Sequence, residues 1–466
     1  MNVSAKLPAF VLTLLAIFAV SCSWSIGGNY DDDDAADDDV DDDSDDDLGY
    51  VPLVDEQGRT IILHGANYMG MEFGWFNHQP EDFERMAEWG FNVVRLPIAW
   101  SYLEPEPGVY DLSYLSDVVE PVVGYASDAG LHVFLDMHQW QWSPCCSGNG
   151  APAWTCDSPN GSEFDWIRQA QLFWDHPEYL DHFVGAWEKI AQFFAGDDRI
   201  WGYDLWNEPN GGLRSLPWTF ENQLLRPLYV RFIEAIREYH PEPYILIEPS
   251  IVHAAGLPFV MEPLPYERII YAPHIYPMAV ASGGDYWYGP DLIEFDIRRC
   301  LNEANKWGIP FLLGETGIES SADGAEQYAR DASQLLDKYM AHFTWWTFWR
   351  GDAGFDLLDS SGNEKEIFIR YLARPYPRAT AGILRSFSFD FDTEIFTMSF
   401  DNSKDLSPEV EIFIPTKHHY QNGFAVECSD PEGKWSWEFD ENKNLLKVTC
   451  DPDTKTHKVT ITKSKR

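Results

Sequence analysis

Residues 200–209 read IWGYDLWNEP and residues 310–317 read PFLLGETG. Each is a short, largely apolar run whose last positions turn polar, ending on Asn207-Glu208 and on Glu315. An apolar run of that length is a strand buried on both faces, and the polar residues at its carboxyl end mark where it leaves the core. Six more runs have this form: RTIILHGAN (59–67), NVVRLPIAW (92–100), HVFLDMHQ (132–139), PYILIEPS (243–250), IIYAPHIYP (269–277) and AHFTWWTFW (341–349). Between them, apolar residues recur at three- and four-residue steps, as in PEDFERMAEWG (80–90), PEYLDHFVGAWEKIAQFF (177–194) and GAEQYARDASQLLDKYM (324–340). Eight strands alternating with helices predict an α/β fold, a (β/α)8 TIM barrel over 51–374, with its last helix near 366–374. From 375 to 466 the texture changes to period-two alternation broken by turns, as in EVEIFIPTKHHY and KWSWEFDE. That pattern predicts a C-terminal antiparallel β-sandwich.

The length of 466 residues agrees with a barrel plus a smaller companion. Lys and Arg number 33 against 76 Asp and Glu, a formal charge of -43, which excludes a phosphate-backbone binder such as a nucleic-acid protein. Lys6 and the apolar run Leu7–Val20 have the form of a secretory signal, expected over 1–22. Two outcomes stay open there. One is plain cleavage and secretion; the other is cleavage before Cys22 with lipid on its thiol, which would tether the chain to a bacterial membrane surface. Either places the chain outside the cytoplasm. Residues 31–47 hold thirteen Asp in seventeen positions, so 23–50 is expected to be a disordered acidic tether. Outside that run and Lys6 the chain still carries 63 acidic and 32 basic side chains.

Besides Cys22, six cysteines suit disulfides in an oxidising compartment. Cys428 and Cys450 flank an expected hairpin and are the favoured pair. Cys145, Cys146 and Cys156 share one loop, where one is expected to pair within the loop and another to reach Cys300. The spacing fits no zinc motif, and neither metal nor cofactor is expected.

Strands four and seven of a barrel face each other across its mouth, which brings Glu208 and Glu315 to one cleft although 107 positions separate them. Two carboxylates across a cleft are the equipment for splitting a glycosidic bond. Glu208 is read as the acid/base and Glu315 as the nucleophile. Arg95 is expected to hydrogen-bond Glu315, keep it ionised and orient it. Asn207 can donate to the sugar 2-hydroxyl, Tyr276 to the nucleophile, and His138 and His274 can contact Glu208 or the sugar. Trp346 is expected to stack under the sugar, while Trp345 and Trp349 point outward or into the rim. Trp140, Trp142, Trp154 and Trp206 line loops above strands three and four, about half of them as packing. The stretch 140–175, rich in Gly, Pro and Trp, is expected to form one wall of the cleft. His253, past strand five, is a weaker candidate.

This set, Arg95, His138, LWNEP with Asn207-Glu208, His274-x-Tyr276, Glu315 in LLGETG and Trp346, resembles glycoside hydrolase family 5 of clan A. DMHQ (136–139), GNGAPAW (148–154), PHIYP (273–277) and ARPYPRATAG (373–382) are similar to its endoglycoceramidase subgroup. The resemblance covers most of the chain from about 55 onward. It implies cleavage, with retention and without a metal, of the β-bond between a glycan headgroup and ceramide. It also places Asp136 and Gln139 near the site. In those enzymes Asp commonly follows His-Gln; here Trp140 stands there, which implies a changed preference, such as galactosyl over glucosyl lipid or a different aglycone. The other readings are a family 5 endo-β-glycanase on soluble glucan, mannan or galactan, and a non-catalytic carbohydrate-binding surface protein. In each case the expected protein is a monomer.

Overall fold

The computed structural model describes residues 50–162, 164–403 and 405–464, so the expected signal and all of the acidic tether except Tyr50 lie outside the described residues. Two short strands come first, β1 (Leu53–Val54) and β2 (Thr60–Ile61). The barrel strands follow: β3 (His64–Tyr68), β4 (Val93–Ile98), β5 (His132–Met137), β6 (Ile200–Asp204), β7 (Tyr244–Ile247), β8 (Ile269–Tyr271), β9 (Leu312–Thr316) and β10 (His342–Phe348). All pair in parallel, β3 through β8 in chain order, with β10 between β3 and β9. Single bridges at Tyr271–Phe311 and His274–Glu315 close the ring between β8 and β9. The barrel expected from the alternation is present.

Local chemistry explains the punctuation. The helix Pro80–Glu88 starts on a proline, whose missing N–H costs nothing there. Gly90 follows it at φ 89°, and a Cβ there would stand 2.3 Å from the ring of Phe413. Only glycine fits both demands. The helices Pro177–Phe193, Ala325–Lys338 and Glu366–Leu372 also lie where the periodicity places them. The stretch 140–175 is not loop throughout. Its end forms the helix Asp165–Asp175, which buries Ile167, Ala170, Phe173 and Trp174.

The expected first strand, 59–67, is two strands. Thr60–Ile61 leaves the barrel and pairs with Ala379–Thr380, while His64–Tyr68 stays in it. Side chains support the backbone at the break. Asn92 donates to the Ile62 carbonyl at 2.8 Å and accepts from His64 N–H at 2.9 Å, and His342 Nδ1 accepts from Leu63 N–H. Alternation within 59–67 cannot reveal such a change of sheet, because the partner strand is more than 300 residues away.

The remaining strands are β11 (Tyr376–Thr380), β12 (Gly382–Asp390), β13 (Ile395–Asn402), β14 (Glu409–Phe413), β15 (Phe424–Cys428), β16 (Ser436–Asp440), β17 (Leu445–Thr449) and β18 (Thr456–Lys463). They form two antiparallel sheets, β1-β2-β11-β14-β17-β16 and β12-β13-β18-β15. Phe387, Phe389, Phe396, Met398, Ile412, Val448 and Ile461 are buried in their core. The stretch 373–382 stitches this sandwich to the amino-terminal end of the barrel. Tyr376 Oη donates to the Gly90 carbonyl at 2.6 Å and its ring stacks on His64 at 3.9 Å, while Arg378 donates to the Gly90 and Phe91 carbonyls.

Among the cysteines, Cys145 and Cys156 form a disulfide within their loop. The other expected pairings do not form. Cys428 ends β15 and Cys450 follows β17, so they do flank the β16–β17 hairpin, but their sulfurs stand 4.0 Å apart as free thiols. Cys300 is a free thiol, sealed in the core by the helix Asp291–Trp307. Among the described residues, no helix is long and apolar enough to cross a membrane.

Arg374 and Asp337 form a fully buried pair at the barrel–sandwich junction, with Nε 3.0 Å from both carboxylate oxygens and Nη2 2.7 Å from one. Asp337→Ala leaves that guanidinium buried without its counter-charge. It is expected to cost about 3–5 kcal/mol, read as a lower urea midpoint by tryptophan fluorescence; an unchanged midpoint would show that the junction does not depend on the pair.

Candidate active site

The strand ends converge on Arg95, which projects from β4 and has no solvent exposure. Its Nε donates to Asp204 Oδ2 at 2.8 Å. Nη1 donates to Asn67 Oδ1 at 2.9 Å and to Glu315 Oε1 at 2.8 Å. Nη2 stands 2.9 Å from each of Asn207 Oδ1, Glu248 Oε1 and Asp136 Oδ1. A planar fork with five N–H groups is the side chain that can serve so many acceptors at once. Four carboxylates around one guanidinium leave the cluster net negative. Burial pushes Asp136 up to about 7 against the charges of Arg95 and His274.

Glu315, near the end of β9, accepts on both oxygens: Arg95 on Oε1, and the Tyr276 hydroxyl on Oε2 at 3.0 Å. Burial, with the charge of Glu315 next, raises the Tyr276 phenol well above its ordinary value, so it remains a donor. Glu208 follows β6 with φ 45°, a left-handed conformation that side chains rarely adopt. Its backbone is pinned at both ends. Glu208 N–H donates to Glu248 Oε2 at 2.7 Å, and Gln139 Nε2 donates to the carbonyls of Asn207 and Glu208 at 3.1 and 3.0 Å. Gln139 Oε1 in turn accepts from Trp142 N–H.

His274 stands between the two acids, Nδ1 3.2 Å from Glu208 Oε1 and 3.6 Å from Glu315 Oε2, with Nε2 3.3 Å from Glu248. A carboxylate oxygen of Glu208 and one of Glu315 lie within 4.8 Å of each other. Two carboxyl groups about 5–5.5 Å apart suit attack by one of them on a sugar; the inverting arrangement needs about 6.5–9.5 Å to seat a water. Burial alone would lower His274, but the charges of Glu248 and Glu315 and the bond to Glu208 lift it well above its ordinary value. For Glu208, burial pushes upward, and the hydrogen bond and charge of His274 outweigh it, leaving the carboxyl below its ordinary range. One proton is therefore shared along the Nδ1···Oε1 line and rests on His274.

His138 is the opposite case. Burial drives its imidazole down to about 3, so it is neutral. Its Nδ1, 2.7 Å from Asp136 Oδ2, carries the proton and leaves Nε2 as an acceptor. Its ring stacks at 5.3 Å and 8° on the partly exposed Trp346. Asn207 Nδ2 donates to the Gln139 carbonyl at 2.9 Å and has a second N–H to give.

The structure thus gathers Arg95, Asp136, His138, Gln139, Asn207, Glu208, His274, Tyr276, Glu315 and Trp346 into one linked set. Trp140 is next to it, half-buried, its backbone bridged to Asn149. Trp349 is carried to the rim, where it stacks on Trp75 at 5.3 Å. Trp345 is fully buried and faces the helix layer against Tyr328 and Phe368. Trp142 and Trp206 belong to an aromatic core with Phe173. His253 is buried away from the cleft with Glu303 and Tyr271. Asn67, Asp204, Glu248 and Glu72 were not singled out from the sequence. The first three carry the same signal as the others, a polar side chain at the end of an apolar strand. Glu72, which burial pushes up to about 8, lies in a short turn after β3 and has no such signal.

Comparison with known proteins agrees with this geometry. The sequence profile described as cellulase (glycosyl hydrolase family 5) matches residues 54–352, and that of the glycoside hydrolase family 5 C-terminal domain matches residues 374–462. The chain is 28% identical over 414 residues to endoglycoceramidase I of Rhodococcus hoagii, covering 80% of each. Among solved structures it is similar to endo-glycoceramidase II from a Rhodococcus species in its complex with ganglioside GM3, with 28% identity and a TM-score of 0.78 over 89% of this chain and 100% of that one. The lactosyl-enzyme intermediate of that enzyme matches with a TM-score of 0.76, 28% identity and the same coverage. Fold and site define a retaining glycosidase. The chain belongs to glycoside hydrolase family 5.

In the free enzyme the last proton of the His274–Glu208 pair is held up to the raised value of His274, so the alkaline limb of kcat/KM belongs to the pair. In His274→Gln only Glu208 is left to hold it. The alkaline limb on a soluble aryl β-glycoside is expected to move to lower pH; a limb that stays in place would show that His274 does not share the proton.

Proposed function

We propose that the chain hydrolyses the β-glycosidic bond between the glycan headgroup and the ceramide of glycosphingolipids, with Glu315 as nucleophile and Glu208 as acid/base. The observation that carries the roles is the short separation of the two carboxylates, bridged by His274. The substrate class rests on the likeness, over four-fifths of the chain, to proteins named endoglycoceramidase.

The steps follow from the geometry. Arg95 and Tyr276 orient Glu315 toward the anomeric carbon. The proton on His274 passes to Glu208, which gives it to the ceramide oxygen as the C–O bond breaks and the sugar becomes bonded to Glu315. Glu208 then takes a proton from water, which attacks the anomeric carbon, frees the headgroup with retained configuration and restores Glu315. Asn207 donates its free N–H to the 2-hydroxyl, and Trp346, backed by the neutral His138 ring, forms the floor under the sugar. Trp140, standing where related enzymes carry Asp, favours galactosyl over glucosyl headgroups in this reading. Export from the cytoplasm belongs to the same proposal, since the substrate class lies in membranes and the amino terminus has the form of a secretion signal.

Product analysis of the full chain in mild detergent, on glucosyl-, galactosyl- and ganglioside-type ceramides beside soluble β-glucan, tests the reading. Release of intact headgroup with free ceramide is expected; cleavage of the polysaccharide alone would make the enzyme a glycanase. Glu315→Gln is expected to lower turnover at least about 10³-fold with substrate binding retained, and unchanged turnover would remove the nucleophile assignment. In Trp140→Asp the ratio of kcat/KM for glucosyl over galactosyl lipid is expected to rise about tenfold; a ratio that does not move would detach Trp140 from specificity.

A further inference from the structure

Among the described residues, four clusters of His, Cys, Asp and Glu bring possible metal-ligating atoms within 4.8 Å of one another. Three are already committed. Glu208, His274 and Glu315 are the acid pair and its proton store, and Asp136, Asp204 and Glu248 surround the Arg95 guanidinium. His253, Cys300 and Glu303 are sealed in the core, where His253 and Tyr271 already bond Glu303. The fourth cluster, Cys428, Asp430 and Cys450, lies in the sandwich and has no part in the cleft.

Cys428 is the last residue of β15, Asp430 stands two positions on, and Cys450 directly follows β17, a strand of the other sheet. Closure of the sandwich brings the two sulfurs to 4.0 Å. Two thiolates bonded at about 2.3 Å to a tetrahedral ion stand about 3.8 Å apart, so this spacing suits an ion between them. A carboxylate oxygen of Asp430 lies within 4.8 Å of both sulfurs. That carboxylate is buried and held in place. His457 Nδ1 stands 2.8 and 3.0 Å from its two oxygens, and Asp451 N–H donates to Oδ2 at 2.7 Å. His457 projects from β18 with no solvent exposure, its ring against Phe400 at 4.8 Å. A histidine behind a ligating carboxylate fixes the orientation of the ligand, and the carboxylate keeps lone-pair capacity for a cation. Cys428 is only half-buried, which leaves an entry for an ion and room for water on it.

We propose that Cys428, Cys450 and Asp430 bind a thiophilic divalent metal ion of the zinc class, with water as fourth ligand, and that the ion clasps the two sheets of the sandwich. The sulfur pair selects such an ion over calcium or magnesium, which take oxygen ligands. On binding, the ion accepts a lone pair from each thiolate; the two thiol protons leave to solvent, and no electron is transferred. A disulfide between the same sulfurs would make no use of the Asp430–His457 arrangement.

The test is titration of the reduced, chelator-stripped full chain with zinc ion against a chromophoric chelator, and with cadmium ion read by its thiolate-to-metal ultraviolet band. One equivalent is expected in each case. Loss of an outer partner of a metal site costs about 10–100-fold in affinity, so His457→Gln is expected to weaken zinc about tenfold, and Cys428→Ser and Cys450→Ser at least about 100-fold each. Cys146→Ser and Cys300→Ser are expected to leave affinity unchanged. Zinc is expected to raise the urea midpoint of the parent chain and not that of Cys428→Ser, because an ion that binds the folded sandwich stabilises it. Equal hydrolysis of a soluble aryl β-glycoside by parent and variants shows that they are folded, and the half-exposed Cys428 is the site best suited to keep the fold. A chain that takes up no zinc, or one whose zinc survives both Cys428→Ser and Cys450→Ser, overturns the proposal. So does a Cys428–Cys450 disulfide found by peptide mapping of protein purified anaerobically, which would give the pair to a covalent cross-link.

Discussion

The Arg95 guanidinium is a charge with no access to water, and the structure around the site is the set of groups that makes this tolerable. Burying a cation alone costs several kcal/mol even after relaxation. Here acceptors arrive from the ends of β3, β5, β6, β7 and β9, through Asn67, Asp136, Asp204 with Asn207, Glu248 and Glu315. Each must reach the same planar fork, so the relative positions of the strand ends are fixed together. A slip of one residue in any of these strands would turn its acceptor to the outer face and leave the guanidinium short of a partner. The nucleophile candidate is one of these acceptors, and its placement is a consequence of barrel closure.

The same economy of protons links the two acids. His138 and His274 are both buried and end in opposite charge states. Around His138 desolvation prevails, because the charges of Glu315 and Glu208 are opposed by those of Arg95 and His274; His274 faces Glu208, Glu248 and Glu315, and their combined charge prevails. The first becomes a neutral platform behind Trp346, and the second a proton store between the carboxylates. Gln139 and Glu248 hold Glu208 in its left-handed backbone by taking up its carbonyl and N–H, so the conformation survives because both polar groups are satisfied.

At larger scale, the sandwich and the cleft occupy opposite ends of the barrel. The stretch 373–382, which resembles a subgroup signature in the sequence, has a structural role. Tyr376 and Arg378 cap the loop before β4, and Arg374 neutralises Asp337. Motif likeness alone does not distinguish such a junction from a substrate contact. With that end covered, the loops at the other end are free to carry the polar cleft.

The sequence by itself determined the eight barrel strands, most of their helices and the positions of Glu208 and Glu315, because each strand has the same grammar: apolar where it is buried on two faces, polar where it emerges. It also disclosed Arg95, Asn207, His274 and Tyr276 by that rule. What depends on which strands become neighbours was decided only by the tertiary structure. Thr60–Ile61 leaves the barrel for a partner at 379–380; Cys428 and Cys450 end on different sheets; His253 is turned into the core while Glu248, three strands on from Arg95, completes its shell. Protonation belongs with this second group. Whether an imidazole is neutral or charged depends on how many carboxylates stand within a few ångströms of it, and such distances do not exist until the barrel has closed.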